Sequence, residues 1–93
     1  MAASSVLAPG TAPGDSTDVV VAGGATVSIG LYKASGELKP GLSFHIAIKT
    51  PGAPLRFATL DNANPLRVIS WPGTFVVSRV ESAGDSVGVF TDA

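Results

Sequence analysis

Apolar side chains recur at every second residue through much of this chain, in short runs that glycine, proline and asparagine clusters break off. A period of two demands extended backbone, because successive side chains of a strand point to opposite faces. Over residues 25–32, Val27, Ile29 and Leu31 share one face, and Thr26, Ser28, Gly30 and Tyr32 take the other. Residues 43–49 repeat the pattern, with Phe44, Ile46 and Ile48 inward and Ser43, His45, Ala47 and Lys49 outward. Further strands are predicted at 18–22, 55–60, 66–70, 74–80 and 86–90, where β-branched and aromatic residues gather. The 3.6-residue spacing of an amphipathic helix is nowhere sustained.

Five prolines, Pro9, Pro13, Pro40, Pro51 and Pro72, are each followed directly by glycine. Proline fixes φ and glycine accepts φ > 0, so the dipeptide suits the centre of a type II turn. Gly23-Gly24 lacks the spacing of a phosphate loop and is read as a turn or bulge. About seven short strands at this spacing predict an all-β domain, a small antiparallel β-sandwich (jelly-roll or Ig-like) or a barrel. It is expected over residues 18–93. Residues 1–17, almost wholly Ala, Ser, Pro, Gly and Thr, are expected to form an extended N-terminal arm with little to bury.

The sequence is sparing with charge. Ionisable Asp, Glu, Lys and Arg make up 14% of its 93 residues, against about 25% in ordinary domains, while 45% are hydrophobic. A domain of this size buries only about 60% of its unfolded surface, so too few charges remain to coat a free monomer. Either small neutral residues form much of the exterior or neighbouring subunits cover it. With no cysteine to cross-link so small a fold, oligomerisation is one of the few remaining stabilisers. The six basic residues, Lys33, Lys39, Lys49, Arg56, Arg67 and Arg79, are scattered singly and the net charge is −1. No basic stripe follows a phosphate backbone, so nucleic acid is not an expected partner. Residues 1–10 lack the basic start of a signal peptide, and no apolar run reaches the roughly 20 residues that cross a bilayer, so no membrane partner is expected.

Two strands carry apolar residues on both faces: Val19-Val20-Val21, and Phe75-Val76-Val77 running on to Val80. Such strands either lie sandwiched within the domain or present one face to another molecule. Candidate interface residues are therefore Val19, Val20, Val21, Phe75 and Val76, with the large aromatics Tyr32, Trp71 and Phe90. Trp71, followed by Pro72-Gly73, is the only tryptophan. It is placed to plug the core, to anchor an interface or to stack on a sugar.

Catalytic candidates are few. A nucleophile relay would need His45, the only histidine, with Ser43 or Ser70 and an acid such as Asp61, but alternation puts His45 on a polar strand face, and no serine sits in a Gly-x-Ser-x-Gly elbow. Paired carboxylates would come from Asp15, Asp18, Glu37, Asp61, Glu81, Asp85 and Asp92, nearly all at predicted turns or strand ends. Loop oxygens near Asp61-Asn62 or Asp85 have no EF-hand spacing to hold calcium. No catalytic residue, cofactor or metal site is assigned.

The phrases VVAGGATVSIGLY (20–32), RVISWPGTFVVSRV (67–80) and VGVFTDA (87–93) resemble small β-rich virion proteins of tailed bacteriophages, of the capsid-decoration or fibre-associated sort. The resemblance implies a non-enzymatic structural protein of the virion, made in the bacterial cytoplasm. It implies a dimer or trimer that docks on major capsid or tail protein, with its arm across a neighbouring subunit. A carbohydrate-binding or host-adhesion module of a tail or fibre is the alternative.

Overall fold

The computed structural model describes residues 3–38, 40, 42–80 and 86–92. Gly41 of the Pro40-Gly41 turn and the candidate carboxylates Glu81 and Asp85 lie outside them. Nine strands and no helix occupy the described residues: β1 (Ser4–Gly10), β2 (Gly14–Asp15), β3 (Val19–Val21), β4 (Val27–Tyr32), β5 (Phe44–Ile48), β6 (Leu55–Leu60), β7 (Leu66–Ile69), β8 (Gly73–Arg79) and β9 (Val87–Asp92). Sheet A has the order β1-β9-β4-β7. Sheet B runs β2-β8-β5-β6, with β3 continuing β2 along the same side of β8. Every pairing is antiparallel.

The pairings are nested. β5 meets β6, β4 meets β7, β2 and β3 meet β8, and β1 meets β9. A chain paired this way is one long hairpin with its tip between β5 and β6, and successive pairs fall alternately on sheets B and A. Rolled up, it is a jelly-roll sandwich, one of the two sandwich topologies expected.

Alternation fills the core as the sequence demands. Val27, Ile29 and Leu31 of β4, Phe44 and Ile46 of β5, Phe75 and Val77 of β8, and Val87 and Val89 of β9 are all buried. Val19 and Val21 join them, so β3 and β8 each give one apolar face to the core, while Val20 and Val76 point out. β2 and β3 are one strand broken by a bulge. Asp15 pairs with Ser78 and Val19 with Phe75, so four steps on one strand match three on the other. Ser16 fills the gap, its buried hydroxyl accepting the Val77 N–H at 2.9 Å and donating to the Thr17 carbonyl at 2.8 Å.

Residues 4–10, expected as an arm reaching a neighbour, instead form β1 at the edge of sheet A, paired with β9. The chain then changes sheet within residues 11–13. Arg79, last of the inward-facing positions of β8, spans this corner. Its Nε donates to Ala12 O at 2.6 Å, and its Nη1 donates to Ala8 O at 2.7 Å and Val87 O at 3.0 Å. The arm folds back because these carbonyls and the open edge of β9 need partners.

The Pro-Gly dipeptides do not act uniformly as type II turns. Gly10 ends β1, Gly14 opens β2, and neither has positive φ. At residues 50–53 the Thr50 hydroxyl closes the loop, accepting from Gly52 N–H and donating to Ala53 O. Gly23-Gly24 is the turn that fits: Gly24 has φ of 80°, and Ala25 N–H donates to Ala22 O at 3.0 Å.

Candidate docking surface

The two sheets turn very different outer faces to solvent. Pairing and alternation put Ser5, Ser28, Gly30, Tyr32, Leu66, Val68, Gly88, Phe90 and Asp92 on the outside of sheet A. Asp92 is the single ionisable carboxylate among them. Two glycines make room for rings there. A Cβ on Gly30 would lie 2.6 Å from Phe90 Cε1 and 3.0 Å from Leu66 Cδ1, so Phe90 and Leu66 converge over bare backbone. Tyr32 lies across Gly88, meets Phe90 edge to face at 6.1 Å, and shares a 2.7 Å hydrogen bond with the Ser5 hydroxyl. The result is a low apolar surface whose polar tips are paired to each other.

That surface continues around the edge strand β7. Leu66 and Val68 are 55% and 57% exposed, a rare position for large aliphatic side chains on a strand with no further partner on that side. Beyond β7, between its edge and that of β6, the sandwich gapes. Ile48, Leu55, Phe57, Trp71 and Phe75 line a cleft of about 420 Å³ there, and a second of about 360 Å³ runs between Phe57, Trp71 and residues 67–70. A bulge makes the first cleft. Ile46 pairs with Ala58 and Ala47 with Arg56, leaving Phe57 as the extra residue, and its ring packs edge to face on Phe75 at 5.6 Å. Bulges re-aim side chains in this way. Trp71, in the short turn from β7 to β8, stands at the lip with 73% of its surface exposed. It does not plug the core.

Sheet B is charged outside. A row across it reads Asp15, Ser78, His45, Thr59, with Ser78 donating to Asp15 at 2.7 Å. Arg56 stands on the same face, and Lys49 pairs with Asp18 at 2.7 Å beside it. His45 thus meets Ser78 and Thr59, not the Ser70 and Asp61 of a relay. Asp61 is occupied in its own loop, accepting from the N–H groups of Ala63 and Asn64. Burial and the nearby Arg56 cation hold the His45 pKa below its ordinary value, and its shielded Nδ1 has no hydrogen-bond partner among the described residues. Among those residues no three His, Asp or Glu side chains gather as a metal site.

Of the eight interface candidates, the structure removes Val19, Val21 and Phe75 to the core. Val20 and Val76 lie on the outer face of sheet B, and Tyr32 and Phe90 on that of sheet A. Trp71 belongs to the open edge. Leu55, Phe57, Leu66 and Val68 were not singled out from the sequence. Their signal was available in part, since Leu66 and Val68 share one face of a strand whose Ile69 needs the other. Comparison with family models, with curated proteins and with solved structures finds no match.

Proposed function

We propose that this chain is a non-enzymatic docking subunit, a virion structural protein of the capsid-decoration type that its sequence resembles, which self-associates and attaches to larger capsid or tail proteins. One observation carries the reading: a mainly apolar surface, interrupted by Asp92 and Arg67, runs from the outer face of sheet A over the β7 edge to Phe57 and Trp71. Exposed apolar patches of this continuity mark interaction sites, and aromatic anchors set in clefts are where binding energy concentrates. The size of the patch sets its form. Four strands about 4.8 Å apart and four to seven residues long give a face of roughly 20 by 18 Å, below the roughly 800 Å² per partner of a standard interface. A stable contact must therefore include the β7 edge and the Trp71 cleft as well. The test is light scattering on the purified protein over a wide concentration range, with co-sedimentation against phage particles. A dimer or trimer that binds particles is expected, and a monomer at high concentration that ignores particles overturns the proposal.

A carbohydrate-binding or host-adhesion role is the second reading. It is favoured by the exposed Trp71 indole beside a cleft that Arg67 and Ser70 supply with polar groups, the pairing of stacking face and hydrogen-bond donors that sugars take. Glycan-array binding lost in Trp71→Ala supports it, and an array without signal removes it.

A further inference from the structure

We propose that β1 is exchanged between copies, so that the β9 edge of one protomer is closed by the β1 strand of a second. The inference rests on the docking reading in one respect, that copies meet in solution.

β9 requires a neighbour on this side. Its Val87, Gly88 and Val89 are buried, and without β1 an edge of apolar strand would stand open. β1 supplies the cover but carries little that ties it to its own chain. Its ladder holds four paired positions, interrupted between Ser5 and Leu7 and again between Leu7 and Gly10. Only Val6 and Leu7 pack against the core, and both are only partly buried. A β1 arriving from another copy would make the same ladder and the same two apolar contacts.

The connection sets which copy supplies it. β1 belongs to sheet A and β2 to sheet B, and residues 11–13 alone make the change between them. Pro13 holds its own φ fixed in that three-residue hinge. Short hinges under such constraint invite exchange, because straightening them relieves the reversal while a second copy restores every lost pairing. The hydrogen bonds of the closed form divide accordingly. Arg79 to Ala8 O, Thr17 N–H to Val6 O and the β9 ladder involve β1 itself, and a receiving copy can remake them with the incoming strand. Arg79 Nε to Ala12 O grips the hinge and belongs to the closed form. Among the described residues, that hydrogen bond is what stands against exchange.

The absence of native cysteine makes the test clean. Ser4 and Thr91 are paired residues in the β1 ladder with β9, and Ser4→Cys with Thr91→Cys in one chain places a thiol on each strand. The full-length double variant is concentrated, oxidised mildly and run on a denaturing gel without reductant, beside light scattering of the same sample and the two single variants. Exchange predicts an oligomer whose main oxidised product is a covalent dimer or higher ladder, formed by the double variant alone. An oligomer whose disulfides all lie within single chains overturns the exchange and leaves the docking reading standing. A monomer with intrachain disulfides overturns both. Should the double variant fail to fold, Leu7→Cys with Val89→Cys, a second pair of the same ladder, is read in the same way.

Discussion

The outer faces of sheets A and B are built from strands of similar length and the same alternation, yet they solve the solvent problem in opposite ways. Sheet B dresses itself: Asp15, Arg56 and the Lys49–Asp18 pair stand around Ala47 and Val76, leaving Val20, with Val80 just past the end of β8, as the exposed aliphatic side chains beside them. Sheet A covers its glycines with Phe90, Tyr32 and Leu66 and leaves them without charged neighbours except Asp92. An isolated exposed valine needs no explanation. A face with Asp92 as its one carboxylate, continuing over an open edge into an aromatic cleft, does, and this contrast is the reason the proposed docking is assigned to that side of the sandwich.

The sharpest way to break the comparison is to add volume to each face. Gly88 has no room, since a Cβ there would lie 2.5 Å from Leu7 O and 2.8 Å from Pro9 N, both backbone atoms that must move. Gly88→Val is expected to cost about 3 kcal/mol and lower the melting temperature by roughly 15 °C. Ala47→Val, on the half-buried outer face of sheet B between Val76 and Arg56, should stay within about 0.5 kcal/mol. Thermal denaturation of the two variants reads this directly, and equal losses would show that sheet A is no more closely fitted than sheet B.

Charge placed on each face tests docking itself. Leu66→Lys combined with Val68→Lys should weaken self-association by about 100-fold, some 3 kcal/mol, with little change in the melting point, because both side chains are already more than half exposed. Val20→Lys, the equivalent insult to sheet B, should leave association unchanged. Sedimentation equilibrium separates the two. Dissociation by Val20→Lys alone would move the interface to the other face.

Much of the sandwich was legible because one face of each strand had to be dry. β4 and β5 could be read residue by residue from Val27-Ile29-Leu31 and Phe44-Ile46, and β6 appears at its expected limits. β1 and β2 were missed for a physical reason: Ser4–Gly10 offers only Val6 and Leu7 to the core, and its place is fixed by main-chain pairing and the distant Arg79, which no local pattern carries. The valine runs left a different question open. Three consecutive valines look apolar on both sides, but Val20 alone faces out, and composition does not say whether that outer face is covered. The open edge depends on the Phe57 bulge, a register event between strands, and on which strands end each sheet.

Trp71 sharpens the comparison at its boundary, where sheet A gives way to the cleft. With 73% of its surface exposed it contributes little to the fold, so Trp71→Ala should lower stability by less than about 1 kcal/mol. If it anchors the interface, the same change weakens association by about 2 kcal/mol, roughly 30-fold. Because it is the only tryptophan, its emission should shift to the blue as oligomer forms in the unaltered protein. Emission that does not change with concentration would take the indole out of the contact.

The smallest effect is a pH response that belongs to sheet B alone. Its cause is His45, whose folded pKa is lowered first by burial and then by the Arg56 cation, with Asp15 the nearest acid along the row and already holding Ser78. A lowered histidine pKa means that below the ordinary value of 6.5 the unfolded chain binds a proton that the folded chain declines. The unfolded state then carries more protons, so stability rises with pH in this window and is lost as pH falls from about 7 toward 5. Unfolded carboxylates titrate nearer 4, below the window in which His45 acts. Chemical denaturation of the wild type should lose stability across it, and His45→Gln should give a flatter profile. The self-association proposed through the outer face of sheet A, which carries no histidine, should stay level over the same range. An oligomer that dissociates in step with His45 protonation would instead place the contact on the face that carries it.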